Sequence, residues 1–155
     1  MPSLKSLAML SALFASSVFA NPTPAGIELG EKIPNVKRAT EGLHLVNCSG
    51  PQQYSIVIYC PNDADCNHLA TTNNQCFVEA SGFEHWEQSG GCAFTSGTTF
   101  SWTIQSDAQN KPNYTKVGTA RNPYHNYNVF KDDQHVMYTE GSGNVCRSIY
   151  YALQA

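Results

Sequence analysis

The chain has 155 residues, with nine basic and twelve acidic side chains and a formal net charge of −3 when histidines are neutral. That length supports a single folded domain. An acidic balance disfavours electrostatic attachment to nucleic-acid backbones or anionic membrane surfaces, and no stretch reaches the roughly 20 apolar residues a membrane-spanning helix needs.

In chain order, the first element is an address. Lys5 precedes an apolar run from Leu7 to Phe19 that closes with Val18-Phe19-Ala20. A short charged start, an apolar middle and small residues at the cut describe a secretory signal peptide, here residues 1–20. Residues 21–38 (NPTPAGIELGEKIPNVKR) carry Pro22, Pro24 and Pro34, which argue against a helix or a central strand. They end in Lys37-Arg38, a dibasic pair of the kind that kexin-type secretory proteases cut, so 21–38 is expected to be a pro-peptide. Residues 39–155 are then a single mature domain. Its basic residues are Lys111, Lys116, Arg121, Lys131 and Arg147 against ten carboxylates, a net charge of −5.

All six cysteines fall in the mature region: Cys48, Cys60, Cys66, Cys76, Cys92 and Cys146. An even number in a secreted chain implies disulfides. Zinc would want paired short spacings, and no Cys-x2-Cys occurs. The spacing leaves the pairing open.

Helical periodicity is nearly absent, and short β-rich runs alternate with Gly, Asn, Asp and Ser clusters. Strands are expected at Leu43–Val46, Gln53–Tyr59 and Cys76–Glu79, with 61–67 (PNDADCN) a loop. Phe83–Gln88 reads as one helical turn or a strand. In Thr98–Ser106 the residues Phe100, Trp102 and Ile104 alternate with polar ones, which gives one buried and one wet face. Tyr114–Val117, Tyr127–Phe130 and His135–Tyr138 are further short strands. The turn 140–144 (EGSGN) leads into a last strand, Val145–Leu153. Seven or eight strands with turn signals every 8–12 residues predict a mostly β fold. The expectation is a small antiparallel β-barrel or sandwich, disulfide-stabilised, with at most one short helix.

Two sequons, at Asn47 and Asn113, permit N-glycosylation in a secreted protein. Asp63-Ala64-Asp65 with Asn67 alternates oxygen ligands but lacks the glycine and glutamate of a calcium loop, so it reads as structural; Asp132-Asp133 reads as a turn. The five histidines, His44, His68, His85, His125 and His135, show no zinc-protease spacing, and no nucleophile elbow or phosphate loop is present. No metal and no cofactor is expected. Trp86, Trp102 and Tyr124 are the aromatics that an exposed wall-binding row could use, with Trp102 the one expected to be buried.

Two resemblances can be read from motifs. The segment 122–130 (NPYHNYNVF) is similar to the Tyr-Pro-His-x-Tyr-x-Asn segment of small fungal guanyl-specific ribonucleases, with Tyr and Pro transposed and Val129-Phe130 where that family has Glu-Gly. It implies His125 as the remaining base; Arg147 and His135 are candidate helpers that the motif itself does not supply. The broader likeness rests on 43–48 (LHLVNC), 54–60 (YSIVIYC), 62–66 (NDADC), 100–106 (FSWTIQS), Tyr127–Asp133, 138–141 (YTEG) and 146–151 (CRSIYY). Together they resemble small secreted cysteine-containing elicitors of filamentous ascomycete plant pathogens, of the hypersensitive-response-inducing type found in the rice blast fungus. That resemblance implies a compact β-barrel-like fold and secretion into the plant apoplast. It also implies perception by a host surface or apoplastic protein or glycan, with no catalytic residues, no nucleic-acid partner and no membrane insertion. The expected role is a non-enzymatic effector or elicitor. The alternatives are an antimicrobial or killer-toxin-like protein and a ribonuclease-like protein using His125.

Overall fold

A computed structural model describes residues 41–155; the expected signal peptide, pro-peptide and Lys37-Arg38 cleavage site lie outside the described residues. Nine strands are described: β1 (Gly42–Ser49), β2 (Tyr54–Cys60), β3 (Gln75–Glu79), β4 (Ser89–Ala93), β5 (Thr99–Ile104), β6 (Lys116–Arg121), β7 (Asn126–Lys131), β8 (Val136–Thr139) and β9 (Val145–Gln154). Helical structure among the described residues is limited to three 3-10 turns, at Asp63–Asp65, Thr72–Asn74 and Ala108–Asn110.

All pairings are antiparallel, in the order β3-β2-β1-β9-β7-β6-β5-β4, with β8 added against β9. The strands at the two ends of that path, β3 and β4, are joined by Cys76–Cys92. The sheet is thus curled into a nearly closed barrel whose seam carries a covalent bond. Cys48–Cys146 ties β1 to β9 at directly opposed positions, and Cys60–Cys66 ties the end of β2 to the turn Asp63–Asp65. Disulfides of this kind belong to an oxidising compartment, and no helix among the described residues is long and apolar enough to cross a membrane.

The barrel interior is filled by alternate residues of facing strands, among them Leu43, Leu45, Val57, Phe100, Trp102, Ile104, Tyr127 and Val129. A second apolar cluster lies on the outer face of β1, β2 and β9. Val46, Ile56 and Ile58 pack there under Met137 and Tyr138 of β8 and under Ala70. Strand β2 is therefore buried on both faces, which is why its sequence is a continuous apolar run rather than an alternating one. A register shift between Leu45 and Val46 against β9 lets two consecutive residues, Ile149 and Tyr150, both enter the barrel core.

Three local expectations need correction. The segment 83–88 is neither helix nor strand. It is an irregular cover that inserts Trp86 (2% exposed) into the barrel beside Trp102, with ring centroids 5.3 Å apart. Strand β4 (SGGCA) was absent from the sequence reading because glycines weaken a strand signal. The fold needs one there: a Cβ on Gly90 would strike the Trp102 indole directly opposite it. The weak strand at Tyr114–Val117 is displaced to Lys116–Arg121, because Tyr114 has a positive φ of 67° and cannot continue a strand. The glycine turn is as expected: Gly143 has φ 93°, and Glu140 N donates to Asn144 O at 2.9 Å.

Several tyrosine hydroxyls are paired with carboxylates. Tyr54 donates to Glu140 at 2.5 Å, Tyr127 to Glu41 at 2.6 Å, Tyr150 to Glu87 at 2.5 Å and Tyr114 to Asp133 at 2.6 Å. Burial and the neighbouring carboxylate push the Tyr54, Tyr127 and Tyr150 hydroxyls well above their usual range, so they remain donors. For Glu87, burial acts to raise the carboxyl, but hydrogen bonds from Tyr150 and Gln109 outweigh it and hold the group low. Glu140 is likewise raised by burial and lowered further by Tyr54, Asn144 and Ser142. A carboxyl depressed in the folded state contributes stability above its unfolded value of about 4.3, and that contribution disappears as pH falls through the lower folded value. Thermal stability is expected to fall on acidification below about pH 4. Glu87→Gln and Glu140→Gln should each flatten the melting-temperature profile there; an unchanged profile would count against these two groups.

Candidate functional site

One end of the barrel gathers the start of β1, the end of β2, the turn Thr72–Asn74, the β4–β5 connection, the β6–β7 connection and the end of β9. Its most prominent feature is the β6–β7 connection, 122–125 (NPYH). Asn122 folds it: Oδ1 accepts from the backbone N–H of Tyr124 at 2.8 Å and of His125 at 2.7 Å, while Asn122 N donates to His125 O at 3.0 Å. Asn122 Nδ2 also donates to the Tyr127 hydroxyl at 2.9 Å. That hydroxyl donates to Glu41, whose other oxygen accepts from Tyr59 at 3.1 Å. With its backbone fixed from below, the connection projects Tyr124 outward, 74% exposed.

Two depressions flank Tyr124. One, of about 400 Å³, is lined by Thr99, Ser101, Arg121, Pro123, His125 and Asn126. The other, of about 300 Å³, includes Glu41, Tyr59, Asn73, Asn74, Phe94 and Thr98, and Asn122, Tyr124 and His125 line both. Thr95 Oγ1 donates to Asn73 Oδ1 at 3.0 Å, joining two of the rim segments. A flat, exposed ring beside neutral amides, hydroxyls, one guanidinium and one carboxylate suits a polar ligand with an apolar face, such as a sugar or a peptide side chain.

His125, the candidate base, lies at this end, and Arg121 shares its depression. The other two suggested helpers do not line either one. Arg147 Nη1 donates to Gln134 O at 3.0 Å, and His135 pairs with Asp133 at 2.8 Å. The Gln154 amide donates to His125 Nδ1 at 3.1 Å. With the Nδ1 lone pair taken by that bond, the neutral ring carries its proton on Nε2 and offers a hydrogen-bond donor there. Trp86 and Trp102 are both 2% exposed, so of the three aromatics considered for an exposed row only Tyr124 faces solvent. Of the sequons, Asn113 is exposed. Asn47 Oδ1 accepts from Ser55 Oγ at 2.6 Å and from Trp86 Nε1 at 2.9 Å, where it bridges the barrel wall and the Trp86 plug.

A second polar assembly lies on the flank. His44 Nε2 meets Asp63 Oδ1 at 2.9 Å, His44 Nδ1 meets Ser148 Oγ at 2.8 Å, and Ser148 Oγ donates to Asp132 Oδ2 at 2.5 Å. The order Asp-His-Ser matches the connectivity of a hydrolytic triad, but Ser148 is fully buried and its hydrogen is given to Asp132. His44 thus bridges Asp63 on one side and the Ser148–Asp132 pair on the other, with Asp132 Oδ2 3.7 Å from Nδ1. Burial acts to raise Asp132, but hydrogen bonds from His135 and Ser148 and the His44 charge hold its carboxyl low. Asp132, read from the sequence as part of a turn between strands, is a buried member of this network.

The signals for Glu41, Arg121, Asn73 and Asn74 were absent from the sequence because these residues meet only when the barrel closes. Comparison with protein-family models, with curated proteins and with solved structures gives no match for this chain.

Proposed function

We propose that the protein is a secreted effector or elicitor of a plant-associated fungus that acts without catalysis, and that it presents the Tyr124 end of its barrel to an apoplastic or cell-surface protein or glycan of the host. The observation that carries this reading is the exposed Tyr124 ring, held on a hydrogen-bonded connection between two polar depressions. The disulfide-closed barrel supports it, since cross-linking suits a small domain to an oxidising, protease-rich exterior. The signal peptide and dibasic site read from residues 1–38 support secretion.

A ribonuclease is the second reading, favoured by Arg121 and His125 lining one depression. The hydrogen bond from Gln154 to His125 counts against it, because it occupies the lone pair a base would use. Infiltration of the oxidised protein into leaves, beside an RNA-hydrolysis assay, separates the two. Ion leakage without RNA cleavage is expected. RNA cleavage that disappears in His125→Ala would replace the first reading with the second.

A further inference from the structure

The flank assembly ends in donor atoms that neither the barrel core nor the Tyr124 end uses. Asp132, Asp133 and His135 each offer one ligand atom, all within 4.8 Å of one another. His135 Nδ1 lies 2.8 Å from Asp133 Oδ1 and 3.7 Å from Asp132 Oδ1. Atoms that share a small divalent ion at about 2.1 Å stand roughly 3.0–3.4 Å apart, so the observed spacings bracket what such an ion requires.

Each carboxylate is also held at its other oxygen, from outside the 132–135 segment. Ser148 Oγ of β9 donates to Asp132 Oδ2 at 2.5 Å, and the Tyr114 hydroxyl donates to Asp133 Oδ2 at 2.6 Å. Ser148 is fixed in turn by His44, and His44 by Asp63. Hydrogen bonds of this kind orient metal ligands before the ion arrives. The ion pairs of Asp132 and Asp133 run to histidines. In the metal-free protein the His135 N–H fills the gap between the carboxylates; a dication there replaces one proton with two charges. The Asp132 side chain is 5% exposed and that of His135 35%, so the three ligands form a cap closed on the protein side and open to water on the other.

We propose that Asp132 Oδ1, Asp133 Oδ1 and His135 Nδ1 bind one divalent first-row transition ion, with water completing its coordination. One imidazole nitrogen with two carboxylate oxygens suits zinc or manganese; calcium asks for six to eight oxygens, more than are gathered here. The site shares no residue with the depressions beside Tyr124.

The test is calorimetric titration of zinc chloride into the chelator-treated, disulfide-bonded protein, with calcium chloride in parallel. One zinc per chain is expected, with no saturable binding of calcium. His135→Ala and Asp133→Asn each weaken zinc binding more than about tenfold, and Tyr114→Phe, which removes only an orienting hydroxyl, weakens it about 10–100-fold. His68→Ala and His85→Ala leave it unchanged. Absence of saturable zinc binding, or one-to-one binding that survives both His135→Ala and Asp133→Asn, would overturn the assignment.

Discussion

Replacing Cys48 and Cys146 together with alanine is expected to lower the unfolding free energy by about 4–5 kcal/mol, the largest effect among the three disulfides. The two cysteines are separated by 98 positions, against 16 for Cys76–Cys92 and 6 for Cys60–Cys66. A cross-link stabilises mainly by removing loop entropy from the unfolded chain, and that removal grows with the logarithm of loop length. The same relation gives about 3 kcal/mol for Cys76–Cys92 and about 2 kcal/mol for Cys60–Cys66. Denaturant unfolding of the three double variants under non-reducing conditions checks the order. The seam bond should carry a second phenotype. Without it, β3 and β4 become free sheet edges, and exposed edges pair with other chains. The Cys76→Ala/Cys92→Ala protein is therefore expected to aggregate on partial unfolding more readily than the Cys48→Ala/Cys146→Ala protein, even though it loses less stability. A seam variant that stays monomeric where the other aggregates would remove the role assigned to closure.

His44→Ala is expected to destabilise the fold by about 3–5 kcal/mol, far more than a histidine at an exposed strand position would. The imidazole sits between two carboxylates that are themselves nearly buried, with side-chain exposures of 9% for Asp63 and 5% for Asp132. Removing the partner strands both charges away from water. If this is the cause, adding Asp132→Asn to His44→Ala should recover part of the loss, because the residue left behind is then neutral. A non-additive coupling of 1 kcal/mol or more is expected from the double-mutant cycle. Strict additivity would show that His44 acts by packing against Tyr151, whose ring centroid is 6.3 Å away, and not by charge.

Much of this architecture is visible in the primary structure. Strand β5 announces itself by alternation, because one of its faces meets the Trp86 side of the core and the other is wet. Strand β2 does so by a continuous apolar run, because both faces are covered, and the 140–144 turn does so through its glycines. What could not be read are features created by closure. Strand β4 is two glycines flanked by small residues, and its reason for being a strand is the Trp102 indole on its neighbour. His44 looks like an ordinary residue within an apolar run until Asp63, Asp132 and Ser148 arrive from three distant segments. Trp86, which a sequence places on a polar stretch, is the plug of the barrel. At the candidate site only the 122–125 connection was legible, as a local motif. Glu41, Arg121 and the asparagines of the Thr72–Asn74 turn join it through strand ends that are far apart in the chain.

Surface mapping of the leaf response tests the role of the Tyr124 end most directly. Ion leakage from leaf discs would be measured against dose for the oxidised protein, for Tyr124→Ala, and for Phe77→Ala. Phe77 is a comparably exposed aromatic, 64% exposed beside Tyr54 on β3, away from both depressions. All three proteins should melt alike, since neither ring is buried. The expected result is a loss of potency of about tenfold or more for Tyr124→Ala, equivalent to roughly 1.4 kcal/mol of binding, with Phe77→Ala indistinguishable from the parent. Equal potency of the parent and Tyr124→Ala, or no leakage from any of them, would contradict recognition through that end of the barrel.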